Sequence, residues 1–219
     1  MKRMVIVAHP DDEVLGLGGY LYDRIQDGDD VCVVIANDAN IPTRPAMANG
    51  LLLSHGIIGI REWHGLDLMN LSISAYSPAA VVPMIEKIIK DFAPDMVYTH
   101  SPTDINPDHR AVSALTQQAA RYYQRQPHEH RISGLFYMEV PSATDWGYDG
   151  FVPDTFLSIS DEGLKRKIDA LACYQNVLRQ ETHPRSDRAI RALAVLRGST
   201  VGVKYAEVLR TGWRIGGLS

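Results

Sequence analysis

Histidine and carboxylate side chains follow directly after the first apolar run of the chain. The run from Met4 to Val7 is short and rich in β-branched residues, so it predicts a buried parallel strand. His9 and Asp12 can turn back from the end of that strand to bind one metal ion, which leaves Asp11 free for proton transfer. The alternative is an acidic loop in which Asp12 caps a helix that begins near Glu13. At this point both interpretations stay open.

The composition is that of an ordinary globular enzyme. The chain has 219 residues, of which 45% are hydrophobic, and this is enough to bury one core, so we predict a single domain over residues 1–219. A net charge of −4 argues against a nucleic-acid partner, which would favour a basic face. Two cysteines, Cys32 and Cys173, lie in apolar patterns and are expected in the core, which fits a reducing cytoplasm.

The first residues give an expectation about location. The first strand pattern begins directly after Arg3, and no apolar run approaches the ~20 residues of a membrane span. We therefore expect no signal peptide, no membrane partner and a cytoplasmic protein. The sequence does not fix the oligomeric state, and a homo-oligomer is compatible with it.

Strand and helix patterns alternate along most of the chain. This order predicts right-handed crossovers and a mostly parallel sheet in a three-layer, Rossmann-like α/β fold. A strand order of 3-2-1-4 would make the first and fourth strands neighbours. Strands are predicted at 4–7, 31–36, 61–64, 96–99, 135–138 and, as the final strand, 156–159, with helices at 14–26, from 45, at 78–91, 111–123, 161–174 and 186–198.

A second polar loop, from His100 to His109, follows the fourth predicted strand. If the first and fourth strands are neighbours, both polar loops border one crevice, and His109 supplies the third ligand that His9 and Asp12 lack. Two histidines and one aspartate, with water in the fourth position, are typical of a catalytic rather than a structural zinc site. We therefore predict a zinc centre, and another divalent metal is compatible with the same ligands.

Two motifs carry a resemblance to a known family. His9-Pro10-Asp11-Asp12-Glu13, together with Asn106-Pro107-Asp108-His109, resembles the motifs of the PIG-L/LmbE-like zinc N-deacetylases, whose members remove acetyl groups from N-acetylated amino sugars and their conjugates. The resemblance implies an LmbE-like fold and metal binding by His9, Asp12 and His109. It also implies that Asp11 is the general base. Zinc would polarise the amide carbonyl and lower the pKa of the attacking water to roughly 7.

One position departs from the family pattern. The second motif of the family usually opens with a histidine, and this chain has Asn106 there. An amide N–H can donate to an oxyanion, but it cannot deliver a proton. Asp108, the usual partner of that histidine, is expected behind the metal ligands. The proton for the leaving amine could return from Asp11 or come from His183, a loop histidine whose alternative is simple exposure to solvent.

Three side chains are candidates for binding the substrate. Arg44 follows the loop 37–43 after the second strand, so it should stand at the edge of the sheet that carries the metal. Its guanidinium could bind a phosphate or sugar hydroxyls, or it could lie in solvent in the first turn of a helix. Asp67 and Arg185 complete the set, although the stretch 185–191 also reads as a solvated helix face. The expected substrate is an N-acetylated sugar or sugar conjugate, a nucleotide sugar among them.

Two other functions stay open. In a nucleotide-sugar transferase or nucleotide-binding module, Asp11 and Asp12 would hold a metal-diphosphate and the glycines of the stretch 16–19 would contact phosphate. Those glycines lie inside a helical pattern rather than in the strand-to-helix turn where a dinucleotide fingerprint belongs. In a metal-binding protein without catalysis, Asn106 would mark a lost activity. Acetate release from N-acetyl sugars separates the three functions.

Overall fold

In the part of the chain that the structure describes, seven strands and six α-helices form the fold. The computed structural model describes residues 1–37, 45–127, 130–146 and 150–216. The elements are β1 Lys2–Val7, α1 Asp12–Gln26, β2 Asp30–Ile35, α2 Pro45–Ile58, β3 Glu62–Gly65, α3 Pro78–Phe92, β4 Met96–His100, α4 Pro107–Arg125, β5 Gly134–Met138, β6 Thr155–Ser158, α5 Asp161–Ala172, α6 Asp187–Thr200 and β7 Ala206–Arg214, with single 3-10 turns at Ile73–Ala75 and Thr144–Trp146.

All seven strands belong to one sheet, in the order β3-β2-β1-β4-β5-β7-β6. The first five of these strands are mutually parallel, and β7 runs antiparallel to both β5 and β6. The predicted α/β class with a mostly parallel sheet is therefore confirmed, and so is the 3-2-1-4 order of the first four strands. Since β1 pairs with β2 on one side and with β4 on the other, the chain builds the sheet in one direction from β1 to β3 and in the opposite direction from β4 onward. The point where this direction changes lies between β1 and β4.

Helices cover both faces of the sheet and make three layers. Val5 and Val7 point to a core shared with α1, α2, α5 and α6, whereas Met4 and Ile6 point to a core shared with α3 and α4. This alternation explains why β1 reads as a continuous apolar run, because a parallel strand is buried on both faces. Within the described ranges, no helix is both long and apolar enough to cross a bilayer.

The prediction of the last strand was wrong. The sequence pattern predicts 156–159 as the final strand, but Ala206–Arg214 forms β7 and inserts between β5 and β6. Its pattern was hidden because Glu207, a charged residue, is buried in the strand. Lys167 on α5 pairs with that carboxylate at 2.6 Å, so burial becomes possible only through a partner about forty residues away.

This buried ion pair gives a stability prediction. Lys167→Met is expected to lower the free energy of unfolding by about 3–5 kcal/mol, because it leaves the Glu207 carboxylate buried without its cation. Urea unfolding measures the loss. Lys165→Met is the matched control on the same helix, since Lys165 pairs with Asp169 in solvent and such pairs contribute at most about 1 kcal/mol. Equal losses in the two variants would contradict the prediction.

Candidate metal centre

The two polar loops meet because their strands are neighbours. Ile6 of β1 is in register with Thr99 of β4, so the carboxyl ends of both strands lie at one edge of the sheet. The helix after β4 starts earlier than its sequence pattern predicts, at Pro107 rather than at residue 111. Asn106 is its N-cap and accepts a hydrogen bond from the Asp108 N–H at 2.9 Å, with proline in the favoured first position. His109 therefore lies in the first turn of α4, facing the loop after β1.

His9, Asp12 and His109 come together at this edge. The Asp12 Oδ2 atom lies 3.2 Å from His9 Nδ1 and 3.3 Å from His109 Nε2. Ligand bonds of about 2.0–2.1 Å in a tetrahedral arrangement would separate the ligand atoms by roughly 3.3 Å. The two distances from Asp12 match this value, and all three ligand atoms lie within 4.8 Å of one another, so the three side chains could hold one divalent ion. Three protein ligands leave a fourth position for water or substrate.

Two carboxylates lie behind the histidine rings. Asp104 Oδ2 lies 2.9 Å from His109 Nδ1, and Asp108 Oδ2 lies 3.3 Å from His9 Nε2. Each ring thus has one nitrogen beside Asp12 and the other beside a carboxylate. Such a carboxylate selects the tautomer and fixes the orientation of a metal-binding imidazole. Asp108 is itself held by the backbone N–H groups of Leu71 and Ile73.

His100 belongs to the centre, although its position in a polar loop did not indicate a role. It ends β4, is fully buried, and its ring stacks on that of His109 at 3.9 Å. Its Nε2 atom accepts a hydrogen bond from the Ala8 N–H at 2.9 Å, which commits that nitrogen to the backbone. Burial, and then the neighbouring His109, lower the pKa of His100 to about 4, so the ring is neutral and serves as a wall of the site. The sequence signal that could have indicated this role is the position of His100 directly after an apolar strand.

The charge of each candidate ligand depends on its neighbours. Burial acts to raise the pKa of Asp12, but His109 and His100 outweigh it and hold that pKa well below its usual range. Burial acts to lower the pKa of His109, but Asp12 and Asp104 raise it to about 10. The protein has therefore gathered negative charge around the ring of His109, and a cation can take the place of its proton.

Asp11 stands beside the ligands in an unusual conformation. It occupies the N-cap position of α1 with φ 132°, and its side chain makes no capping hydrogen bond. Burial, and then the adjacent Asp12 carboxylate, raise the pKa of Asp11 to about 8, while Arg185 opposes the rise. The Nη1 atom of Arg185 lies 3.4 Å from Asp11 Oδ2. A buried carboxyl group with a pKa near neutrality is suited to both accept and return a proton.

The remaining candidate residues differ in how close they lie to this centre. Arg185 is joined to it through Asp11, and its Nε also donates to Ser142 Oγ at 2.7 Å. His183 lies next to Arg185, because its Nδ1 accepts the Arg185 backbone N–H at 3.0 Å. Asp67 is exposed in the loop after β3, with a left-handed φ of 57°. Arg44 lies outside the described residues.

A second group of ligand-type atoms lies on β2 and β3. Cys32, Glu62 and His64 bring their ligand atoms within 4.8 Å of one another. Burial, and then the neighbouring Glu62 carboxylate, raise the pKa of the Cys32 thiol. A metal-binding cysteine must be a thiolate, so a thiol that is held protonated does not favour a cation, and we assign no metal to this group.

The fold and the geometry of this site define a class. A mostly parallel α/β sheet that carries an open site of two histidines and one aspartate, with a buried carboxyl group beside it, is the framework of a metal-dependent hydrolase. The family model described as PIG-L, GlcNAc-PI de-N-acetylase, matches residues 4–120, which is more than half of the chain. The chain belongs to the PIG-L family.

Individual relatives are more distant. The chain is 25% identical to diacetylchitobiose deacetylase of Thermococcus kodakarensis, over 95% of this chain and 82% of the relative. The structure of N,N'-diacetylchitobiose deacetylase from Pyrococcus horikoshii has a TM-score of 0.77 at 19% identity, covering 96% of this chain and 83% of that one. The 4-carboxy-2-hydroxymuconate hydratase from Pseudomonas putida KT2440 has a TM-score of 0.80 at 20% identity, covering 100% and 99%. The shared fold thus includes proteins named for different reactions.

Proposed function

We propose that this chain is a metal-dependent amide hydrolase that removes the acetyl group from an N-acetylated amino sugar or sugar conjugate. The observation that carries the proposal is the placement of His9 and His109 at 3.2 and 3.3 Å from one oxygen of Asp12, with Asp11 next to it in the chain. Membership of the PIG-L family supports the deacetylase reaction. Zinc is the metal we propose, because nitrogen ligands with one carboxylate suit it, and the proposal keeps the cytoplasmic location expected from the sequence.

A divalent ion at this site would polarise the acetyl carbonyl and acidify the attacking water. Asp11 is positioned to take the proton of that water, because its carboxylate makes no capping hydrogen bond and lies beside Asp12. The Arg185 guanidinium, 3.4 Å from the Asp11 carboxylate, favours the charged form of the base before proton transfer. Neighbouring backbone and side-chain atoms hold the Asp11 carboxylate and the Arg185 guanidinium in place.

The leaving amine needs a proton, and the position usually taken by a histidine in the family cannot supply it. The Oδ1 atom of Asn106 accepts the Asp108 N–H as a helix cap, so this side chain has a structural task. Asp11 can return the proton that it took from water. His183 is the second candidate, because its Nδ1 accepts a hydrogen bond and a neutral ring must then carry its proton on Nε2.

The test is acetate release from a panel of N-acetylated substrates. The panel contains free N-acetylglucosamine, diacetylchitobiose, a nucleotide-linked N-acetyl sugar, and an unsaturated 2-hydroxy dicarboxylate as the hydratase control. The enzyme is assayed after removal of metal and after loading with zinc, cobalt or manganese. Metal-dependent acetate release from at least one sugar supports the proposal. Metal-dependent turnover of the dicarboxylate alone would refute it, and so would metal binding without any acetate release.

Substrate anchoring by Arg44 gives a kinetic prediction. Arg44→Ala is expected to raise KM roughly tenfold or more and leave kcat nearly unchanged, because a residue that binds the ground and transition states alike contributes only to binding. The increase should be larger for a nucleotide sugar than for the free sugar, since a guanidinium binds phosphate through paired donors. Arg61→Ala, at the opposite edge of the sheet just before β3, is the control. Equal kinetics for wild type and Arg44→Ala on both substrates would remove this residue from the site.

A further inference from the structure

A fully buried glutamate lies beside the proposed general base and has no task in the reaction described above. Glu13 Oε2 accepts a hydrogen bond from the backbone N–H of Asp11 at 3.2 Å. The other oxygen, Oε1, lies 3.1 Å from His55 Nε2 and accepts a hydrogen bond from the Tyr174 hydroxyl at 3.4 Å. A buried carboxylate is costly unless its oxygens are satisfied, so this complete set of partners indicates a specific role.

The backbone of Asp11 explains what that role is. Its φ of 132° is unfavourable for a residue with a Cβ atom and persists only where the surroundings impose it. An N-cap aspartate normally uses its own side chain to accept an N–H of the first helical turn, but Asp11 makes no such bond. Instead Glu13, the second residue of the helix, accepts the N–H of the cap residue, in the way that the third helical residue does in a capping box. The Asp11 carboxylate is thereby left free for chemistry.

The glutamate and its two side-chain partners come from three separate parts of the chain. Glu13 belongs to α1, His55 to α2, and Tyr174 follows α5. The approach of α2 to Tyr174 depends on Gly50, where a Cβ atom would lie 2.9 Å from the Cys173 carbonyl oxygen and 3.1 Å from the Tyr174 ring. The contact that supports Asp11 is therefore built from tertiary packing.

From this geometry we infer that Glu13, held by His55 and Tyr174, is a positioning residue that keeps the backbone of Asp11 in its strained conformation and so aims the general base. The inference rests on the proposed function, because it acts through Asp11. Glu13 itself exchanges no proton with the substrate.

The first test compares two substitutions. Glu13→Ala is expected to lower kcat roughly 10- to 100-fold with KM changed less than about twofold and with metal content unchanged. Glu13→Gln should recover most of kcat, because its amide oxygen can still accept the Asp11 N–H. Glu207→Gln is the matched control: that glutamate is also buried and accepts backbone N–H groups of α1 at Gly19 and Tyr20. Its substitution should lower the free energy of unfolding, because it breaks the pair with Lys167, but should leave the kcat of the folded protein unchanged. Loss of metal from Glu13→Ala would overturn the inference, since the effect would then lie with Asp12.

A double-mutant cycle separates positioning from a merely structural role. If Glu13 acts through Asp11, then Glu13→Ala should cost less than about twofold in kcat in an Asp11→Asn background. A loss of the same size in both backgrounds would show that Glu13 acts independently of the base and would overturn the inference.

A third measurement does not depend on activity. Hydrogen exchange at the Asp11 amide should be slow in the wild type and at least tenfold faster in Glu13→Ala. If that variant does not fold, His55→Leu serves instead, because it removes one partner of Glu13 and should accelerate the same exchange. Unchanged exchange in the folded variant would overturn the inference. If the wild type releases acetate from no sugar, the proposed function fails, and the exchange at Asp11 still decides whether Glu13 positions it.

Discussion

Replacing His109 with alanine is expected to remove the bound metal and all measurable acetate release while the fold is kept. His109 contributes one of three ligand atoms, so its loss leaves only His9 and Asp12, and two ligands do not retain a divalent ion against a chelator. The substitution also removes an imidazole ring that is stacked at 3.9 Å on His100, so a lower melting temperature is expected alongside the lost metal. Elemental analysis of the purified proteins, after dialysis against a weak chelator, measures about one ion per wild-type chain and none in the variant.

The control for this experiment is His130→Ala. His130 also pairs with a carboxylate, Asp95, at 3.2 Å, but it lies at the other end of β4 from the candidate centre. Its substitution should leave the metal content at the wild-type value. If the wild type and His109→Ala contained equal amounts of metal, His109 would not be a metal ligand, whatever the activity of the two proteins.

Replacing Asp11 with asparagine is expected to keep the metal and to lower kcat roughly 10²- to 10⁴-fold, the usual size of a general-base contribution. Asparagine has nearly the same shape and can remain beside Arg185, so the protein should fold as before. It cannot accept a proton from water, and the rate therefore falls at constant metal content. Elemental analysis, together with rates measured per bound ion, distinguishes the loss of a base from the loss of the metal.

The contrasting variant is Asp12→Asn. Asp12 Oδ2 lies within 3.4 Å of a nitrogen on each of His9, His100 and His109, so this carboxylate should be the one that binds the ion. Metal loss is expected for Asp12→Asn and not for Asp11→Asn. The opposite pattern, with unchanged turnover per bound ion in Asp11→Asn, would mean that the two aspartates have exchanged roles.

Much of the architecture could be predicted from local patterns. Apolar runs of four to six residues predicted the parallel strands, and the alternation of strands and helices predicted a mostly parallel sheet, for which the 3-2-1-4 order was a hypothesis that the structure confirms. Two polar runs after β1 and β4 then indicated where residues of a site could meet. The start of α4 was predicted four residues late, although Asn106 and Pro107 are good N-cap and N1 residues, because the first turn of the helix is polar and continues the polar run that begins at His100.

By itself the sequence determined the class of fold, the edge of the sheet where the two polar loops meet, and the set of candidate metal ligands, because these depend on residue type and on short-range spacing. Only the tertiary structure decided which neighbours tune those side chains. Asp104 and His100 reach His109 from the same loop, but Glu13 depends on His55 and Tyr174, which lie 42 and 161 residues further along the chain. Local spacing carries no record of such contacts, since they arise only when helices from distant segments pack on one face of the sheet. The burial of Glu207 in β7 has the same cause, because its partner Lys167 is supplied by α5.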